Sequence, residues 1–143
     1  MQTVRQLLDS KGPEVWTIKP DDSVFSAIQL MAEKHVGSLL VMRGEKLVGI
    51  LSERDYARKV ILKNKASKTT PVKDIMTKRV IYVGPHQTID SCMRLMTNKM
   101  IRHLPVLKDE KVIGIISIGD AVRSLLSERE HRIQQLENYI TAG

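Results

Sequence analysis

The chain repeats itself. Shifting it by 65 residues lays the stretch that begins at Val15 on the stretch that begins at Val80, without a gap, over some 46 positions. Pro20 falls on Pro85, Leu30-Met31 on Leu95-Met96, Leu39 on Leu104, Val41 on Val106, Glu45-Lys46 on Glu110-Lys111, Gly49-Ile50 on Gly114-Ile115, Ser52 on Ser117 and Asp55 on Asp120. A period of this length marks one supersecondary unit made twice. A unit of about 50 to 60 residues buries too little surface to be comfortable alone. The two copies are therefore expected to pack sheet to sheet with pseudo-two-fold symmetry, which makes two equivalent clefts.

Each copy reads as β-α-β-β-α, an α+β unit. Val15 to Ile18 is a short β-prone run closed by Lys19-Pro20, and Asp22 or Ser23 can cap the helix that follows. Val24, Ala27, Ile28, Met31 and Ala32 give that helix one apolar face. Leu39–Met42 and Lys46–Leu51 are strands joined by a turn at Arg43-Gly44-Glu45, and a helix runs from Asp55 onward. The second copy repeats this through Ile81, Ile89, Cys92, Met93, Met96, Leu104–Leu107, Val112–Ile116 and Asp120. The expected domains are 1–66, 67–126 and an extended C-terminal helical tail, 127–143, the first two together forming one paired domain.

Composition narrows the setting. One cysteine, Cys92, excludes an internal disulfide, and His35, His86, His103 and His131 have no partners at metal-ligand spacing. Neither a signal peptide nor a membrane span is present, so a reducing, cytoplasmic location is expected. The net charge of +7 is concentrated: residues 58–79 hold eight bases against Asp74, and the remainder is balanced. Such a strip could attract a nucleotide, a nucleic acid or a membrane surface. No aromatic residue interrupts it from Ala57 to Val80, so base stacking is unsupported and a solvated linker is the plainer reading.

Both copies end in a strand, a glycine and Ser-x-x-Asp opening a helix: Gly49 to Asp55, and Gly114 to Asp120. Taken locally this is a capping box, with the serine as N-cap and the acid closing back on it. A helix N-terminus also offers unpaired N–H groups and positive potential to a phosphate, and a carboxylate one turn along can accept both hydroxyls of a ribose. Together these are groups for holding a nucleotide without catalysis.

The doubled pattern, with Ile101-Arg102-His103-Leu104-Pro105-Val106 ahead of Val112 to Asp120, resembles a pair of cystathionine-β-synthase (CBS) domains, a Bateman module, from about Val4 to Leu126. The resemblance implies a non-enzymatic regulatory module, acting in signal transduction, whose ligand is AMP, ADP, ATP or NAD(H), or S-adenosylmethionine, held between the repeats. By that resemblance one cleft uses Ser52, Arg54 and Asp55 with Ile81, Tyr82, Val83, Pro85, Arg102, His103, Leu104 and Pro105. Its counterpart uses Ser117 and Asp120 with Trp16, Thr17, Ile18, Pro20, Gly37, Ser38 and Leu39. Arg54 matches Gly119 and Arg102-His103 match Gly37-Ser38, so the clefts differ in charge. Which one is occupied stays open.

Other chemistry is not supported. Cys92 aligns with Ala27 on an apolar helix face and reads as core, and Gly114 to Gly119 lacks the G-x-S-x-G spacing of a nucleophile elbow. No Walker loop and no G-x-G-x-x-G are present, and no catalytic residue is expected. Nucleic-acid or polyanion binding through 58–79 is the alternative function. Ile133, Leu136 and Ile140 continue the apolar stripe of Val122, Leu125 and Leu126 past what one domain needs to cover, so a homodimer is expected. A regulated protein partner is implied, without a clue to its identity.

Overall fold

The structure, a computed structural model, describes residues 2–142. Helix α1 (Val4–Lys11) starts at a capping box, Thr3 accepting from the Gln6 N–H while the Gln6 side chain accepts from Thr3, and stops at Gly12 with φ of 101°. After strand β1 (Thr17–Ile18) comes α2 (Val24–Lys34), capped by Ser23, with Val24, Ala27 and Met31 buried. β2 (Ser38–Arg43) and β3 (Lys46–Ser52) pair antiparallel across a turn in which Gly44 takes a φ of +62°. α3 (Glu53–Tyr56) runs into a π-helical turn, Ala57–Ile61, and a 3-10 turn follows at Val72–Asp74. α4 (Ile89–Lys99), β4 (His103–Lys108), β5 (Lys111–Ser117) and α5 (Ile118–Ala142) complete the mixed α+β fold.

The sheets differ where the sequence reading made them alike. The first is β1-β2-β3, with β1 parallel to β2 and the Leu40 N–H donating to the Trp16 carbonyl at 3.2 Å. The second is the hairpin β4-β5 alone, and the expected strand near Ile81 shrinks to one parallel bridge between Val83 and Val106. The position equivalent to Leu40 is Pro105, which has no N–H to give. Only the bonds on either side survive: the Val83 N–H to the Pro105 carbonyl, and the Leu107 N–H to the Val83 carbonyl.

Two compact units result, and they do not follow chain order. One is Glu14–Ile81; the other joins the segment up to Pro13 to everything from Tyr82 on. In the first unit, Val72 and Lys73 donate their N–H groups to the Asp22 and Pro20 carbonyls, and Met76 lies on Gly49. In the second, Val4 and Arg5 donate to the Gln87 and Pro85 carbonyls, and Leu8 lies on Gly114. A Cβ on either glycine would meet its neighbour at 2.6 Å (Met76 Sδ) or 2.7 Å (Leu8 Cδ2), so a side chain at either position would have to push that neighbour aside. Thr3–Leu8 and Pro71–Met76 thus do the same job, each in the unit built from the other repeat. The stretch read as a solvated linker is in fact structural, since Val60, Val72 and Ile75 join the core of the first unit with Leu39, Val41 and Leu51. Its basic residues sit on the outside of that packing: Lys73 pairs with Asp21 and Lys68 lies over the Phe25 ring.

Candidate functional site

Each unit holds one Ser-x-x-Asp helix start, and both are true capping boxes in geometry. In the first unit the Ser52 hydroxyl accepts the Asp55 N–H at 3.2 Å, and Asp55 Oδ2 accepts the Ser52 N–H at 3.0 Å. The Ser52 hydroxyl also donates to Oδ2, at 3.1 Å. The other carboxylate oxygen is more loosely held: Lys59, one turn along, approaches Oδ1 at 3.2 Å, and the Thr77 hydroxyl stands at 3.5 Å, the outer limit of a hydrogen bond. Lys59 also donates to the Ile75 carbonyl at 3.0 Å, so it bridges α3 to the segment on which β3 rests.

In the second unit the Ser117 hydroxyl accepts the Asp120 N–H at 3.1 Å and Asp120 Oδ2 accepts the Ser117 N–H at 2.8 Å. Two cations clamp this carboxylate. Lys11, from the end of α1, meets Oδ2 at 2.6 Å and also donates to the Ile115 carbonyl, while Arg123 meets Oδ1 at 2.8 Å. Burial pushes the Asp120 carboxyl up, but the hydrogen bonds from Lys11 and the Ser117 N–H outweigh it and hold the carboxyl below the usual range. Burial, with help from Lys11, keeps the nearby His103 imidazole below its usual value against the opposing pull of Asp120. His103 is paired with Ser117 across β4-β5, where the first unit pairs Ser38 with Ser52.

Beside Asp120 lies a cavity of about 400 Å³. Leu7, Ser10 and Lys11 of α1 line one side, Asp120, Arg123, Ser124 and Ser127 of α5 the other, with Gln2 at the edge. Ser124 donates its hydroxyl to the Gln2 side-chain oxygen. The equivalent of Ser124 in the first unit is Lys59, which reaches the Ile75 carbonyl and Asp55 and supplies there the charge that Lys11 supplies here.

The residues read from the sequence divide by unit. Ser52, Arg54, Asp55 and Ile81 lie in the first with Trp16, Thr17, Ile18, Pro20, Gly37, Ser38 and Leu39. There the Glu53 N–H donates to the Gly37 carbonyl, Ser38 pairs with Ser52, and Lys34 covers the Trp16 ring at 4.4 Å from its centre. Ser117 and Asp120 lie in the second with Tyr82, Val83, Pro85, Arg102, His103, Leu104 and Pro105, and the Ile118 N–H donates to the Arg102 carbonyl. Leu39 and Leu104 are wholly buried, and Tyr82 is exposed. Cys92 is buried as expected, with burial pushing its thiol up. The reading missed Lys11 and Lys59. Lys59 stands one helical turn from Asp55 and was findable on that spacing. Lys11 carries no local signal, although the likeness of Thr3–Leu8 to Pro71–Met76 would have placed α1 against the second repeat.

Among the described residues no helix is long and apolar enough to cross a membrane, and no group of three or more His, Cys, Asp or Glu side chains is placed to hold a metal.

Comparison with known proteins gives a consistent result. The family description "CBS domain" matches residues 4–62 and 72–127. A mitochondrial CBS domain-containing protein of Arabidopsis thaliana, CBSX3, is 41% identical over 99% of this chain and 73% of its own. The crystal structure of a CBS domain, NE2398, is 54% identical, with a TM-score of 0.85 over 87% of this chain and 98% of that one. The CBS domain pair of protein MJ0100, solved in complex with 5′-methylthioadenosine and S-adenosyl-L-methionine, is 25% identical, with a TM-score of 0.80 over 90% of this chain and 98% of that one.

Proposed function

Because the chain belongs to the CBS-domain family, we propose that it is a regulatory module that binds an adenine nucleotide, AMP, ADP, ATP or NAD, and performs no catalysis of its own. The observation that carries this reading is the twofold occurrence of a serine hydroxyl and an aspartate carboxylate at a helix start, each with a lysine at hand. The ligands of the MJ0100 pair support it from chemistry: both contain adenosine and neither contains phosphate. Their shared handle is the base and the ribose diol. A carboxylate suits that diol, since each oxygen can accept from one hydroxyl.

The two aspartates are not equal candidates. Oδ1 of Asp55 has contacts of 3.2 and 3.5 Å, whereas Asp120 is held at 2.6 and 2.8 Å by full charges. Asp55 is therefore the better diol acceptor, and a ligand at Asp120 must first draw Lys11 away. Trp16 and Ile18 in the first unit, and Tyr82 in the second, supply apolar surface of the kind an adenine needs, and Arg102 and His103 of the second unit supply polarity for phosphates. The single, buried Cys92 fits a reducing cytoplasm. We further read the module as a homodimer that passes its signal to a protein partner.

Calorimetry with AMP, ADP, ATP, NAD and S-adenosylmethionine tests the function. Saturable heat with at least one, and a 2′-deoxy analogue weaker by about one to two orders of magnitude through loss of one hydroxyl to a buried acceptor, is the expected result. The nucleotide should be recovered chemically intact. Silence from all five at millimolar concentration overturns the proposal, and binding of any polyanion with a steep salt dependence would favour the basic segment instead.

A further inference from the structure

Helix α5 outruns the unit it belongs to. Every residue from Arg129 to Thr141 is exposed, so nothing in the chain's own unit covers this stretch. It is nonetheless patterned. Val122, Leu126, Ile133, Leu136 and Ile140 are large apolar residues between 40% and 75% exposed. With Arg129 in the gap, the steps along the helix alternate four, three, four, three, four. That is a seam of period 3.5, the spacing that keeps one face of a helix against another over several turns. A solitary helix of this length is marginal in water, and a bare apolar seam gives it no support.

We infer that the α5 tail pairs with the same segment of a second copy of this chain as a short parallel coiled coil. The inference rests on the homodimer reading above and names its surface. The charges beside the seam decide both occupant and direction. Arg132 and Glu137 lie on opposite flanks five residues apart, so in a parallel pair in register each Arg132 faces the partner's Glu137. Arg129, on the seam itself, packs beside the partner's Glu130. Turning one helix round brings Glu130 onto the partner's Glu130 and Arg132 onto the partner's Arg132; it also brings Glu137 to the partner's Arg123, but that arginine is already held by Asp120, so the like charges count against that arrangement. A lipid surface is a poor fit, because the outer face mixes acids, amides and bases and is not a basic one.

The test uses the full chain with Cys92→Ala, which installs the residue the first repeat has there, Ala27. Light scattering at about 20 µM, a concentration suited to a modest interface, should give a dimer. Leu136→Asp should give a monomer with the body's melting transition retained. Glu137→Arg should weaken the dimer, and Arg132→Glu with Glu137→Arg should restore it. Ile133→Cys should cross-link two copies on oxidation, while Asn138→Cys, on the outer face, should not. A dimer that persists through Leu136→Asp leaves self-association standing and overturns the tail seam. Loss of the dimer in Leu136→Asp, with no cross-link from Ile133→Cys, overturns the parallel direction. A monomeric parent protein overturns both the homodimer and the seam.

Discussion

Both units meet the same electrostatic problem, a half-buried aspartate at a helix start, and they answer it with different lysines. In the first, Lys59 reaches Asp55 from one turn farther along its own helix. In the second, Lys11 reaches Asp120 across 109 residues of sequence. The local solution adds little ordering cost, because the helix already aligns the pair. The long-range solution ties α1 to the start of α5 and leaves a cavity where the local lysine would have been. The first unit is thereby a settled structure, and the second is one in which the aspartate, the N-terminal helix and anything entering the cavity must compete for a single ammonium group.

The sharpest break of that comparison is with fragments. Residues 14–81 contain a whole unit and should fold with a cooperative thermal transition followed by circular dichroism. Residues 1–65 have one repeat in order of sequence but lack Val72 and Ile75, and they should show no such transition. A cooperative melt from 1–65 would mean that α1 can replace the Pro71–Met76 segment in its own repeat.

Asp55→Asn and Asp120→Asn come next. If Asp55 is the diol acceptor, its substitution weakens AMP binding by roughly 10- to 100-fold, a loss of about 1–3 kcal/mol, whereas Asp120→Asn changes binding less than threefold, roughly. Equal losses in calorimetry would show the two starts to be functionally alike.

Gly49→Ala and Gly114→Ala probe the packing beneath. The new methyl at 49 meets Met76 and also the Thr77 carbonyl at 3.1 Å, which is backbone and cannot step aside. At 114 it meets only the end of Leu8. Urea denaturation should give a cost of about 2 kcal/mol at 49 and about 1 kcal/mol at 114. A reversed order would show that Leu8 is the less movable neighbour.

The smallest effect is a pH dependence that His103 and Asp120 give the second unit. His103 resists protonation when folded and takes a proton at the ordinary value of 6.5 when unfolded. Proton uptake then favours the unfolded chain, so stability declines as pH falls below about 6.5 and levels off once the folded imidazole also titrates. Asp120 works in a lower window: its contribution is complete above 3.8 and lost as pH falls through its depressed value. His103→Ser, the residue that Ser38 provides in the first unit, should flatten the upper decline in melts taken between pH 7 and 5. An unchanged slope would assign the decline elsewhere.

What the sequence made legible was everything with a local or a repeated signature. The hairpins β2-β3 and β4-β5, the apolar face of α2, the Ser52 and Ser117 caps and the burial of Cys92 all follow from spacing of a few residues, seen twice. What escaped it was of two kinds. Pro105 stops a strand because a proline on the second strand withholds a donor from the first, an effect that the aligned apolar pattern conceals. Lys11 and the placement of α1 depend on tertiary packing over more than a hundred residues, where no periodicity points. The ligand-bearing role of Ser52, Asp55, Ser117 and Asp120 was legible from the chemistry of a helix start with a carboxylate one turn along, together with the family resemblance; the cation beside each pair was not.

The exchange of leading segments also bears on how the chain is made. Synthesis delivers α1 well before its seat on Gly114 and beside Pro85 and Gln87. By the time Ile81 leaves the ribosome, the Glu14–Ile81 unit has all its parts and can close. The N-terminal helix must wait through that event, its Leu7 and Leu8 uncovered, until the second repeat emerges. A nascent chain stalled in this interval presents an amphipathic helix with no home, and it is there that a chaperone would find something to hold.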